Sequence, residues 1–124
     1  MIILRLTLAL ALIAVSCAKF LSGYRDVYIL PELLWFFMAC LEMIAGLLLL
    51  RSPSILIYRG VAALALAGLA IPLIMDDTAR CGCLGSLMEL TRWRHVMLAA
   101  SFGGLASIAW SVEVERRRSA IEAS

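Results

Sequence analysis

Apolar residues occur along this chain in four long runs that are separated by short polar segments. The runs cover about 2–21, 33–50, 55–75 and 95–112. An α-helix rises about 1.5 Å per residue, so roughly 20 apolar residues cross the hydrocarbon core of a bilayer. The pattern therefore predicts an all-α polytopic membrane protein, in which a single domain over residues 1–124 forms a four-transmembrane-helix bundle.

Composition agrees with this prediction. Hydrophobic residues make up 64% of the chain and charged residues 16%, whereas soluble domains are roughly 25% charged. So little polar surface could not cover a soluble globule, and the same composition excludes a disordered chain. A net charge of +2 without a long basic stripe argues against a nucleic-acid partner. The predicted partner is the lipid bilayer.

The arginines predict how the bundle is oriented. Cytoplasmic ends of membrane helices carry an excess of Arg and Lys. A cluster at 116–118 follows the fourth run, and Arg5 and Arg51 lie on the same side of a bundle with an even number of spans. We therefore expect both termini in the cytoplasm of a bacterium, with the segments 22–32 and 76–94 outside the inner membrane.

The first run has a second interpretation. Arg5 followed by an apolar stretch that ends at Cys17 also suits a secretory signal with a lipid-modified cysteine. Cleavage there leaves the other three spans oriented as before, so charge does not separate the two cases. A role for Lys19 as a partner of Glu42 favours a retained helix.

Small residues predict where the helices pack, because lipid gives no hydrophobic drive for helix association. In the fourth run they recur every four residues, at Ala99, Gly103, Ser107 and Ser111. In the third run a stripe is formed by Gly60, Leu64 and Gly68, beside Ala63 and Ala67. We expect both faces to make helix contacts.

The most specific chemical motif is Cys81-Gly82-Cys83-Leu84-Gly85, in the second outer segment. Thiols outside a bacterial inner membrane can form disulfides, because that side is oxidising. Cysteines one residue apart can bond only if the backbone bends sharply, which a glycine between them permits. A strained, exposed disulfide exchanges readily. A redox pair, a soft-metal site and an inert pair all remain open.

Cationic residues flank this motif. Arg80 precedes Cys81, and Arg94 and His95 begin the fourth run. Cationic neighbours lower the pKa of a thiol and raise its thiolate fraction. His95, the only histidine, is a candidate for thiol tuning or proton transfer. For the arginines, the alternative is anchoring at the membrane interface.

Cys17 and Cys40 fall at similar depth in the first two runs, so two antiparallel helices could bring them together. They are candidates for a second pair that exchanges disulfides with Cys81 and Cys83. The alternative is that each is a small buried hydrophobic residue.

Glu42 is an ionisable residue inside an apolar run, where such groups generally face a partner or a cavity. Lys19, on the neighbouring predicted helix, is long enough to reach it. An ion pair would let both be buried and would fix the register of the two helices. The same groups are candidates for binding a proton or a quinone headgroup.

Residues 15–20, Leu41-Glu42 with Gly46, and the 81–85 motif together resemble the MauE/DoxX-like redox-associated membrane proteins. That family has a lysine ending the first span, a glutamate and a glycine in the second, and a CGCFG motif before the fourth. Leu84 here replaces the phenylalanine. The resemblance implies support of disulfide formation or maturation of extracytoplasmic proteins, as in methylamine dehydrogenase assembly, with an extracytoplasmic thiol or disulfide protein as partner.

Three functional hypotheses follow. The first is an inner-membrane thiol–disulfide redox protein, in which electrons leave to a quinone or to another membrane redox protein. The second is a non-enzymatic assembly or scaffold subunit, in which the motif grips a partner or caps the bundle. The third is a soft-metal chaperone that uses Cys81, Cys83 and His95.

Overall fold

The computed structural model describes residues 2–24, 31–52, 54–74 and 92–124. These residues form four helices: α1 (Ile2–Ser22), α2 (Glu32–Arg51), α3 (Ile55–Ile74) and α4 (Arg92–Glu122). The all-α prediction is confirmed for this part of the chain. The first three helices end close to the predicted boundaries.

Helix α4 differs, because it continues well past the predicted end of its apolar run at residue 112. Its last part is polar and is supported by ion pairs one turn apart, Glu113–Arg116 and Arg118–Glu122. Such pairs stabilise an exposed helix without an apolar face. The hydropathy pattern therefore predicted the length of the apolar part of α4 but not the full length of this helix.

Local chemistry explains several helix ends. Helix α1 stops at Gly23, which has a φ of 73° and donates its N–H to the Lys19 carbonyl, a common glycine C-cap. Helix α3 begins after Ser54, whose hydroxyl oxygen accepts the N–H of Ile57 at 3.3 Å as an N-cap.

Helices α1, α2 and α4 are each long and apolar enough to cross a membrane. The apolar part of α3, within the described residues, is the shorter stretch Ile55–Ala70.

The four helices form two antiparallel hairpins. Helix α1 packs mainly on α2 and α3 mainly on α4, whereas α1–α4 and α2–α3 contacts are less extensive. One core cluster joins residues from all four helices: Leu8, Ala9, Leu12, Leu49, Tyr58, Val61, Ala106 and Ala109.

Gly46 lets α1 and α2 approach closely. A Cβ atom at this position would lie 2.7 Å from Cγ1 of Ile13 and 3.0 Å from the carbonyl oxygen of Ala9. Both distances are too short for a larger residue, so the first hairpin requires a glycine here.

In the second hairpin only part of the predicted small-residue faces makes contact. Gly68 approaches Ala99 and Gly103 approaches Ala65, but Ser107 and Gly60 are exposed. The prediction of contact failed there because four residues advance a helix by about 400°, so the stripe rotates about 40° per step.

Two more residues show this rotation. Ser111, the last residue of the predicted stripe on α4, is exposed. Its hydroxyl donates to the Ser107 carbonyl of the same helix. The buried face continues instead at Ala106 and Ala109.

Candidate functional site

The predicted ion pair between α1 and α2 is present. Nζ of Lys19 donates to both carboxylate oxygens of Glu42, at 2.8 and 2.7 Å. The side chains are 5% and 16% exposed. One turn earlier, the Ser16 hydroxyl donates to the Ala39 carbonyl at 2.7 Å. The two helices are thus joined by polar contacts at two successive levels.

The direction of side chains in antiparallel helices explains why Lys19 reaches Glu42. Ser16 lies opposite Ala39, so the Lys19 backbone is nearer the end of the hairpin than the Glu42 backbone. Each Cα–Cβ bond tilts toward the N-terminus of its own helix. The lysine therefore points into the bundle, and the glutamate points back toward the hairpin end.

A second polar contact joins α3 and α4, and it depends on a proline. A helical carbonyl normally accepts the N–H four residues later, but for Gly68 that residue is Pro72, which has no N–H. The Gly68 carbonyl instead accepts a hydrogen bond from Nε2 of His95 at 2.5 Å. Since a carbonyl only accepts, Nε2 carries a proton and the tautomer of the neutral ring is fixed.

These polar groups line one cavity in the middle of the four helices. Lys19, Glu42 and His95 share it with Trp35, and its volume is about 90 Å³. Apolar side chains form most of the remaining wall, including Leu12, Val15, Met38, Val61, Leu98 and Phe102. An ammonium, a carboxylate and an imidazole therefore lie within one largely apolar enclosure.

Aromatic side chains border the cavity toward the end of the first hairpin. The ring of Trp35 packs edge-on against Tyr24 at 5.8 Å and against Phe36 at 4.9 Å between ring centroids. Phe36 also stacks on Phe20. Of these rings, Trp35 is the one that lines the cavity.

The size of the cavity limits its ligands. An apolar cavity of about 150 Å³ holds a benzene ring, and a water molecule takes up roughly 30 Å³ of liquid volume. The 90 Å³ space therefore suits water or a small polar group better than a whole quinone ring. The arrangement is suited to binding and transferring protons, since it combines an imidazole with a carboxylate.

The structure places the predicted cysteines as follows. Cys81 and Cys83 lie outside the described residues. Cys17 is a half-buried free thiol and Cys40 an exposed free thiol, and neither is among the residues that line the cavity. The alternative that Cys40 is a small buried residue is therefore wrong, because Cys40 is on the outer face of α2. A Cys17–Cys40 pair that exchanges disulfides with Cys81 and Cys83 stays a prediction.

The contact between His95 and Gly68 was not predicted from the sequence. The signal was available, because Pro72 stands four residues after Gly68 and so frees its carbonyl. A freed carbonyl in an apolar helix requires another donor. His95 is the residue that supplies it.

The remaining site predictions concern metals. Within the described ranges, no group of three or more His, Cys, Asp or Glu side chains is arranged to hold a metal ion. The soft-metal hypothesis combines His95 with Cys81 and Cys83, which these ranges do not include.

Comparison with protein-family models, with curated proteins and with solved structures gave no match to this chain. The likeness to MauE/DoxX-like proteins thus rests on the sequence motifs alone.

Proposed function

We propose that this chain is a thiol–disulfide redox protein of the bacterial inner membrane, of the MauE/DoxX-like kind. It crosses the membrane four times, with both termini in the cytoplasm and the Cys81–Cys83 segment outside. Three described helices are long and apolar enough to span, which supports the membrane location. The arginine distribution supports the orientation.

The reaction proceeds by disulfide exchange. An extracytoplasmic partner with two thiols reduces the Cys81–Cys83 disulfide and becomes oxidised, through a mixed disulfide. The resulting dithiol then loses two electrons and two protons to a membrane quinone, which becomes a quinol. The Cys81–Cys83 disulfide is thereby restored, and partner proteins gain a disulfide.

The observation that carries this proposal is the central cavity, whose lining includes His95 at the end of the bundle to which the cysteine segment is attached. Helix α3 ends at Ile74 and α4 begins at Arg92, so both ends of that segment are joined to one end of the second hairpin. His95 lies in the first turn of α4 and lines the cavity with Glu42. Oxidation of the dithiol moves two protons to the quinone, and the imidazole and carboxylate in this cavity are groups that can relay them.

Mass-tagged alkylation of isolated membranes tests the proposal. In a Cys17→Ser/Cys40→Ser variant, which leaves Cys81 and Cys83 as the only cysteines, both should react with a maleimide tag only after reduction. Addition of a partner peptide with two thiols should make both cysteines reactive. Full labelling without reductant, in membranes kept under oxidant, would contradict the proposal.

A non-enzymatic scaffold is the second candidate, because Lys19 and Glu42 satisfy one another and stabilise the first hairpin. It predicts that a Cys81→Ser/Cys83→Ser variant supports full maturation of the partner protein. The redox proposal predicts loss of maturation in the same variant.

A further inference from the structure

A second polar cluster lies at the opposite end of the bundle, around Glu113 of α4. This carboxylate is nearly inaccessible, with 2% of its side chain exposed. Arg116 donates to it through Nε at 3.1 Å and Nη2 at 2.8 Å, and Arg117 donates through Nε at 3.1 Å. The two arginines themselves are 65% and 49% exposed. Glu113 therefore holds two exposed guanidinium groups in place.

The cluster has more hydrogen-bond donors than acceptors. The hydroxyl of Tyr58 and the Nε–H of Arg5 are both buried and have no hydrogen-bond partner in the described part of the chain. Tyr58 packs in the same core cluster as Ala109 of α4, one turn before Glu113. Each guanidinium carries five N–H donors. One carboxylate is shared by Arg116 and Arg117, so the formal charges of the three groups sum to about +1.

The position of the cluster favours a ligand from the membrane surface. The Arg59 guanidinium lies 4.9 Å above the ring of Trp110, one turn before Glu113. Tryptophan is enriched at the level of lipid headgroups. With Trp110 at the level of the headgroups, two arginines lie at the level of the lipid phosphate groups: Arg5 near the start of α1 and Arg116 in the polar part of α4. Anionic lipids are abundant on the cytoplasmic side of such membranes.

We propose that the exposed guanidinium groups of Arg116 and Arg117, held in place by the buried Glu113 carboxylate, bind the phosphate group of an anionic phospholipid. The phosphate supplies acceptor oxygens that the cluster lacks, and guanidinium forks match them in pairs. This inference rests on the proposed membrane location and orientation, but it does not depend on thiol chemistry.

Native mass spectrometry of the full chain in detergent tests lipid binding. Delipidated protein is titrated with phosphatidylglycerol, with phosphatidylcholine and with inorganic phosphate. We expect phosphatidylglycerol to be retained in preference to phosphatidylcholine. Equal retention of the two lipids would overturn the proposal. Displacement of phosphatidylglycerol by an equal concentration of inorganic phosphate would overturn the lipid assignment in favour of a free anion.

Variants locate the site. Arg116→Gln/Arg117→Gln should weaken phosphatidylglycerol binding about 10–30-fold, because the charge-assisted hydrogen bonds from both guanidinium groups to the phosphate are lost. Arg118→Gln is the matched control and should leave binding unchanged, since Arg118 pairs with Glu122 and both are exposed. A loss of the same size in the control would show that only net charge matters, and would contradict a defined site.

Removal of both arginines leaves the buried Glu113 carboxylate without a partner, which could itself disturb the protein. The effect of removing the arginines is therefore also measured in chains that carry a neutral glutamine at position 113. Glu113→Gln alone is compared with Glu113→Gln/Arg116→Gln/Arg117→Gln, and the 10–30-fold difference should persist. Equal binding by these two proteins would refute the proposal.

A further variant separates this inference from the redox proposal. Cys81→Ser/Cys83→Ser should retain phosphatidylglycerol as the unmodified chain does, even where thiol exchange is lost. Release of the unmodified chain from membranes by an alkaline carbonate wash would instead contradict the membrane location on which both proposals rest.

Discussion

Two regions of the bundle each contain a carboxylate in an ion pair, but they use it differently. The half-buried Glu42 pairs with a buried lysine from another helix. Glu113 pairs with arginines of its own helix, and those arginines are largely exposed. The first pair joins two helices inside an apolar enclosure, whereas the second orients cations toward the surroundings. Burial of the cation therefore distinguishes a site that holds the fold together from one that presents charge.

The largest effect should come from breaking the buried pair. Lys19→Met leaves Glu42 without its partner and should lower the free energy of unfolding by about 3–5 kcal/mol. The measurement is an unfolding titration of purified protein in mixed micelles. The double variant Lys19→Met/Glu42→Met should recover most of the loss, because two apolar side chains replace the pair. A double variant as unstable as the single one would contradict this account.

The next effect concerns the approach of α1 and α2 at Gly46. Gly46→Ala should destabilise the protein by about 1–3 kcal/mol, because its Cβ would overlap Ile13 and the Ala9 carbonyl. Gly104→Ala is the control, since nothing lies within 4 Å of its Cβ position. That variant should gain up to about 1 kcal/mol from higher helix propensity. Equal effects of the two changes, in the same micelle titration, would show that the helices do not touch there.

A double-mutant cycle tests the link between His95 and Pro72. His95→Ala should cost about 1–2 kcal/mol, because the Gly68 carbonyl loses its donor. In a Pro72→Ala background the backbone N–H of residue 72 is restored, so the same histidine change should cost less. His95→Gln should retain part of the stability through its amide N–H. Additivity of the two substitutions would contradict the proposed coupling.

The smallest effect belongs to the exposed pair at the end of α4. Arg118→Ala removes a contact of 3.3 Å with Glu122, in which both side chains are mostly solvent-exposed. The free energy of unfolding should fall by at most about 0.5 kcal/mol. The loss should disappear at high salt, where exposed charges are screened. A loss comparable to that of Lys19→Met would mean that burial does not separate the two kinds of pair.

Two results could be predicted from local features of the chain, namely the helices and the Lys19–Glu42 contact of the candidate site. Apolar runs long enough for helices predicted four helices, and the first three lie close to their observed positions. An ionisable residue in an apolar run requires a partner, and Glu42 had one within reach on the adjacent predicted helix. The Lys19–Glu42 contact is therefore a prediction that the structure confirms.

Other features depended on how the helices are rotated about their axes. The hydropathy of α3 and α4 is nearly uniform around each helix, so the sequence did not show that Ala65 faces α4, nor that Gly60 is exposed although it shares the predicted stripe with Gly68. Nor did it show that Cys40 faces outward. The length of an apolar run depends only on consecutive residues, so it can be read from the sequence alone. Which side chains share the central cavity depends on packing between all four helices, so His95 joined Lys19 and Glu42 only in the folded chain.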